Sequence, residues 1–162
     1  MRTILFSFSD YWFQYLNAGK MKFEYRKVLP AEETRVYYYI SQPVMAITSI
    51  AHYGPRESLK DWLTMYGNRS VAVRSRILDY MTDCNYAVKI YEYVQTNKIP
   101  LEQLRRDVPG FKPPRMYYFI DNTPLLEYLE KNLKPCGKRW EFTFGQVLDE
   151  DICNIEGQDR AN

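Results

Sequence analysis

The chain has 162 residues, which suits one domain with a single real core and is short for two ordinary ones. It is 46% hydrophobic and 26% charged, so a disordered chain is excluded, and its formal charge of +2 is too low for a strong nonspecific DNA binder. One histidine (His52) and three scattered cysteines (Cys84, Cys136, Cys153) argue against a zinc site built from Cys and His, and against any mechanism needing two histidines.

The charge is unevenly spread. Lys20, Lys22, Arg26 and Lys27 stand against Glu24 alone, and Arg69, Arg74 and Arg76 form a second basic group. Asp149, Glu150, Asp151, Glu156 and Asp159 gather near the end of the sequence. A basic body with an acidic tail fits an anionic ligand. No run of some twenty apolar residues suits a membrane span, and Met1 to Asp10 lacks the apolar core and cleavage pattern of a secretory signal. A cytoplasmic setting without membrane contact is therefore expected.

In chain order, Thr3 to Ser9 reads as a buried strand, and Asp10 is expected to cap the helix after it, where Trp12, Tyr15, Leu16 and Gly19 fall at helical spacing. Gly19 suits the left-handed residue that ends a helix. From Lys22 to Lys27 the period becomes two: Lys22, Glu24 and Arg26 point one way, Phe23 and Tyr25 the other. The charged row is either a solvated edge or a polar rail along a cleft. Thr34 to Ile40 is a strong β run, ended by Ser41-Gln42-Pro43, and β character resumes from Val44 to Tyr53. Pro55 is expected to open a helix carrying Leu59, Trp62, Leu63 and Tyr66, and Gly67 to close it.

Ser70 to Met81 reads as another helix, with Arg69, Arg76 and Tyr80 grouped on one side. Tyr86 to Thr96 reads as a strand, and Pro100 opens a short helix with Leu101 and Leu104 inward and Arg105 and Arg106 outward. Pro109 to Arg115 is a stiff turn and Met116 to Ile120 a compact strand. Asn122 or Thr123 caps a helix starting at Pro124, and Trp140, Phe142 and Phe144 alternate as a last strand. Residues 148–162 are expected to form an acidic, disordered tail after a single domain spanning 1–147.

Roughly six strands with four or five helices, without regular βαβ units, indicate an α+β fold: a small, mostly antiparallel β-barrel with flanking and inserted helices. No Gly-x-Gly-x-x-Gly or Walker pattern occurs, and no cofactor is expected. The 16% aromatic share, with 15 Tyr and 8 Phe, suits either a tyrosine-rich core or a base-stacking surface. The helical insertion at 55–81 is long enough to serve as a protein-interaction element.

Four segments in this order resemble the ASCH family of the PUA-like superfamily. Gly19-Lys20-Met21-Lys22-Phe23-Glu24-Tyr25-Arg26 is similar to its Gly-x-Lys-x-x-Glu-x-Arg signature, and Val36-Tyr37-Tyr38-Tyr39-Ile40-Ser41-Gln42-Pro43 to its strand ending in Tyr-x-Ser-x-Pro. Tyr86-Ala87-Val88-Lys89-Ile90, with Ile99 to Arg105, and Phe111-Lys112-Pro113-Pro114-Arg115-Met116-Tyr117 complete the set. The resemblance implies a PUA-like pseudo-barrel that binds RNA, a nucleotide or a modified base in a cleft beside the Gly19–Arg26 strand. It carries over Gly19, Glu24, Arg26, Ser41, Pro43, Pro113 and Pro114, and Arg115 follows in the last motif.

Around that cleft, Lys20, Lys22 and Arg26 are candidate phosphate contacts, and Trp12 and Tyr39, with Tyr11 and Tyr37, are candidate stacking surfaces. The alternative is a hydrolase acting on a modified nucleoside, similar to acylcytidine amidohydrolases, or on RNA, with Lys20, Lys22, Glu24 and Ser41 as candidate catalytic groups. The signature lysine of the family is Met21 here. Methionine neither titrates nor attacks, which favours binding over catalysis.

Overall fold

A strand of 15 residues, β6 (Tyr86–Pro100), is the spine of the sheet. The computed structural model describes residues 1–154. One edge of β6 pairs first with β2 (Phe23–Arg26) and then with β8 (Pro135–Glu141); the other pairs with β5 (Glu57–Ser58) and then β4 (Ala46–Tyr53). Beyond β4 lie β3 (Thr34–Ile40), β1 (Arg2–Phe8) and β7 (Tyr117–Phe119). β1 and β3 run parallel, and every other described pairing is antiparallel. Among the described residues the sheet curls into a half-barrel with five α-helices around it, an α+β fold.

The apolar run of β3 does not alternate with polar residues because both of its faces are covered. Val36, Tyr38 and Ile40 point into the barrel interior with Ile4, Phe6, Phe8, Trp12 and Tyr53. Tyr37 and Tyr39 point outward with Leu5 beneath α4 (Leu101–Asp107) and α5 (Pro124–Asn132). A third cluster joins Phe23 and Tyr25 of β2 to Leu59 and Trp62 of α2 (Leu59–Met65) and Ile77 of α3 (Val71–Tyr80). Many of the tyrosines are thus core residues, and the stripe on the helical insertion is spent on packing.

Several boundaries differ from the sequence reading. Helix α1 (Asp10–Asn17) is capped by Ser9, whose Oγ accepts a hydrogen bond from the Trp12 N–H at 3.3 Å; Asp10 is the first helical residue. Ser58, rather than a proline at the first position, caps α2. The last strand is Pro135–Glu141, so Phe142 and Phe144 fall beyond it. Its residues are mostly exposed, and pairing with β6 rather than an apolar pattern makes it a strand. Phe144 instead meets the Phe23 ring at 5.3 Å.

The largest departure is in the expected tail. Ile152 and Cys153 are buried in the third cluster, after a short 3₁₀ turn at Asp149–Asp151. The Cys153 N–H donates to the Tyr25 hydroxyl at 3.0 Å. Arg76 donates to the carbonyls of Asp149 and Ile152 at 2.6 and 3.1 Å, and Arg69 to the Val147 carbonyl at 2.6 Å. Two apolar side chains inside an acidic run are buried, and the arginines of the insertion answer its charge and carbonyls. The remainder of the expected disordered tail, 155–162, lies outside the described residues.

Gly19 ends α1 with φ +74°, as its place in the sequence suggested. A Cβ there would also meet the Trp140 ring at 2.8 Å, and Trp140 donates from Nε1 to the Asn17 carbonyl at 2.9 Å. Gly19→Ala is therefore expected to cost about 1–3 kcal/mol, read as a lower urea midpoint. An unchanged midpoint would mean that neither the left-handed backbone nor the tryptophan contact constrains this site.

Candidate functional site

Strand β2 is buried along its whole length, including both charged residues: Glu24 is 3% exposed and Arg26 8%. The period of two places them on the face opposite Phe23 and Tyr25, and that face looks into the barrel. The charged row is therefore neither a solvated edge nor a continuous rail. Arg26 Nε donates to Glu24 Oε1 at 2.9 Å, and the backbone N–H of Tyr25 donates to the same oxygen at 3.2 Å. The guanidinium lies over the Phe6 ring at 4.8 Å and near the Phe8 ring at 5.7 Å. Held by a carboxylate and by ring faces, the Arg26 fork has one orientation.

Glu24 Oε2 is buried without a hydrogen-bond partner among the described residues. Burial raises the Glu24 carboxyl above its usual range, against the opposing pull of Arg26. Further inside, the Tyr38 and Tyr53 hydroxyls bond to each other. Burial holds both phenols well above their ordinary value, and the nearby Glu24 charge adds to the effect.

Arg26 reaches a pocket of about 150 Å³ that it shares with Ser7, Phe8, Ser9, Ser41, Arg115 and Met116. Ser7 and Ser9 come from the end of β1 and the cap of α1, Ser41 from the end of β3, and Arg115 from the turn before β7. The Ser41 backbone N–H donates to the Phe8 carbonyl at 3.0 Å, and the Ser7 N–H to the Met116 carbonyl at 2.8 Å, which ties the walls together. The lining contains two guanidinium groups and three hydroxyls but no carboxylate, imidazole or lysine. Such a set can hold a tetrahedral anion, because arginine stays charged and offers paired donors to phosphate oxygens. The Ser41 hydroxyl donates to the Phe8 carbonyl at 3.4 Å.

The structure brings together Arg26, Ser41 and Arg115 of the residues singled out in the sequence, with Glu24 supporting Arg26 from behind. The others lie elsewhere. Lys20 and Lys22 line a separate hollow of about 290 Å³ with Tyr25, Glu150 and Asp151, and Lys22 Nζ pairs with Asp151 Oδ1 at 3.2 Å. Trp12 is 2% exposed in the interior cluster, and Tyr39 is 3% exposed on the α4 side, where its ring lies 6.3 Å from Phe111. Neither presents a ring to the arginine pocket. Tyr37 is buried beside Tyr39, and Tyr11 is exposed on α1 against Trp12 and Tyr15. Pro43 sits in an exposed turn, Pro113 is half-buried and Pro114 buried. Gly19 serves the helix end described above.

Met21 is 1% exposed and packs among the interior residues with Trp12, Tyr38 and Tyr93. The position of the signature lysine is thus a core position here. The sequence reading missed Ser7 and Ser9, although the alternation Phe6-Ser7-Phe8-Ser9 carried the signal. The phenylalanines face the core, so the serines must face away from it.

No protein-family model matches the sequence, and no curated protein does. The structure is similar to that of ZmASCH, an ASCH protein from Zymomonas mobilis, with a TM-score of 0.60 at 19% identity over 82% of this chain and 96% of that one. Two variants of the same protein, one serine-to-alanine and one tyrosine-to-phenylalanine, align with TM-scores of 0.61 and 0.60 at 19% and 18% identity. They cover 82% and 83% of this chain and 97% and 100% of theirs. The chain has an ASCH-type fold.

Proposed function

On this ASCH-type fold, we propose that the chain binds the phosphate of RNA or of a nucleotide-like ligand in the pocket beside β2. One observation carries the reading: Arg26, Ser41 and Arg115, from three separate sequence motifs, line one pocket that has no acidic side chain. A phosphate there would meet Arg26 in an orientation already set by Glu24, so little side-chain freedom is lost on binding. Arg115 is exposed and lines the same pocket from the turn before β7. The core placement of Met21 supports binding over lysine-dependent hydrolysis, since a buried thioether supplies neither a base nor a nucleophile.

Binding of a labelled single-stranded RNA, followed by anisotropy as salt is raised, tests the proposal. A phosphate contact gives a negative slope of log affinity against log salt, roughly 0.7 per phosphate neutralised on a single strand. Arg115→Glu is expected to weaken binding at least about tenfold, equivalent to about 1.4 kcal/mol, and to flatten the slope. Binding indifferent to salt and to Arg115→Glu would overturn the assignment. Lys20→Glu with Lys22→Glu should act less strongly, because those side chains face a different hollow and Lys22 is already paired.

A further inference from the structure

We infer that the arginine pocket takes up its anion together with a proton, which settles on the Glu24 carboxylate beside Arg26. The inference rests on the phosphate reading above and concerns the regulation of that same site. Arg26 joins the two groups: its Nε donates to Glu24 Oε1 at 2.9 Å, and its side chain lines the pocket. While Glu24 is ionised, its charge answers that of Arg26. Among the described residues no carboxylate pairs with Arg115, so that arginine is then the uncompensated cation of the lining.

A proton on Glu24 removes the answering charge, and the charge of Arg26 becomes available to a bound anion as well. The anion in turn stands one guanidinium away from the carboxylate. Repulsion between two like charges in a buried setting favours protonating the carboxylate. Anion and proton therefore assist each other, and each raises the affinity for the other by the same factor. The proton comes from solvent. An O–H bond forms on Oε2, a buffer acid loses the same proton, and no covalent bond to the ligand is made.

The surroundings of Glu24 leave the proton one destination. Glu24 is 3% exposed, and its Oε2 is buried without a hydrogen-bond partner among the described residues, so this oxygen is where an O–H can form. Apart from Arg26, the titratable groups of the interior are phenols: Tyr38 from β3, Tyr53 from β4 and Tyr93 from β6, with Tyr15, Tyr86 and Tyr117 partly buried at its margin. From β1 come Phe6 and Phe8, and from α1 Trp12, none of which titrates. Burial keeps Tyr38, Tyr53 and Tyr93 protonated well beyond neutral pH, whereas it raises the Glu24 carboxyl against the opposing pull of Arg26. The one histidine, His52, bonds to Glu33 at 2.9 Å and lines a different hollow with Arg35 and Arg139.

The test gives the full chain two anions that do not titrate near neutral pH, sulfate and a hydroxyl-ended oligouridylate. Calorimetry in two buffers of different ionisation enthalpy reads the protons exchanged on binding. The wild-type chain is expected to take up a proton with the anion, and to bind roughly tenfold more tightly for each pH unit lowered within the window where Glu24 titrates. Its infrared difference spectrum should gain a protonated-carboxyl band on binding. Glu24→Gln, which keeps the shape and fixes the neutral form, should abolish the uptake and hold the affinity at the wild-type low-pH level throughout. His52→Gln should leave uptake and slope as they are in the wild type. Binding without proton uptake or without the carboxyl band would overturn the inference and leave the phosphate site standing, whether or not Glu24→Gln folds. A pH slope that survives Glu24→Gln, or that His52→Gln removes, would overturn it equally. Neither anion binding at any pH would overturn the phosphate reading and this inference together.

Discussion

Glu24→Ala is expected to lower the unfolding free energy by about 3–5 kcal/mol, the range for breaking a buried ion pair by removing one partner. Arg26 is only 8% exposed and its guanidinium is fixed by Glu24 Oε1 at 2.9 Å, so alanine would leave a buried cation without its counter-charge. A urea unfolding series would show it as a lower midpoint at unchanged slope. The double replacement Glu24→Leu/Arg26→Met is expected to recover most of the loss, because it removes both desolvated charges at once. If the proposed phosphate binding is lost in a stably folded double variant, the stability role of the pair is separated from the role proposed for it at the pocket. A double variant as unstable as Glu24→Ala would show that the pair itself, and not the orphaned arginine, holds β2 in place.

The same carboxyl makes stability depend on pH with a definite sign. Burial raises the folded Glu24 value above that of the unfolded chain, even with Arg26 pulling the other way. The folded state then binds the proton more readily. Its contribution is fully present below the unfolded carboxylate value and is lost as pH rises through the folded value. Glu24→Gln is expected to flatten that step, and a pH profile identical to wild type would place the titration elsewhere.

Ile152→Ala is expected to cost about 2–5 kcal/mol, the range for truncating a buried aliphatic side chain in a packed core. For a chain of this size that is a fall in melting temperature on the order of 10 °C. A disordered tail predicts no change at all. Ile152 is fully buried between the helical insertion and β2, and the segment is also held by Arg69, Arg76 and the Tyr25 hydroxyl. Releasing it would also free Lys22 from Asp151 and expose the hollow beneath. Ile152→Ala with wild-type stability would return the segment to the status of a loose tail.

Much of the fold was legible because local signals agreed with one another. The β3 run at Thr34–Ile40 and the helix from Pro124 were read with their true starts, since β-branched and aromatic runs, caps and prolines act within a few residues. Strand β8 was placed too late because it is an exposed edge strand whose order comes from β6. The acidic run reads as a tail because composition averages over a segment, whereas residues 148–153 are docked by the burial of Ile152 and Cys153 together with contacts from the distant Arg69, Arg76 and Tyr25. The candidate site was half legible. Arg26, Ser41 and Arg115 were named, but Trp12 and Tyr39 went to two different cores.

The stretch from Gly19 to Arg26 shows where that boundary runs. By itself the sequence determined that a helix ends at Gly19, that Glu24 and Arg26 share one face of a strand, and that Met21 cannot do the chemistry of a lysine. Only the tertiary structure decided that this face turns inward, that Arg26 and Arg115 line one pocket, and that Lys22 is answered by Asp151. The physical reason is that backbone periodicity states which side chains lie together. Which side is covered, and by which distant segment, depends on the packing of the whole sheet.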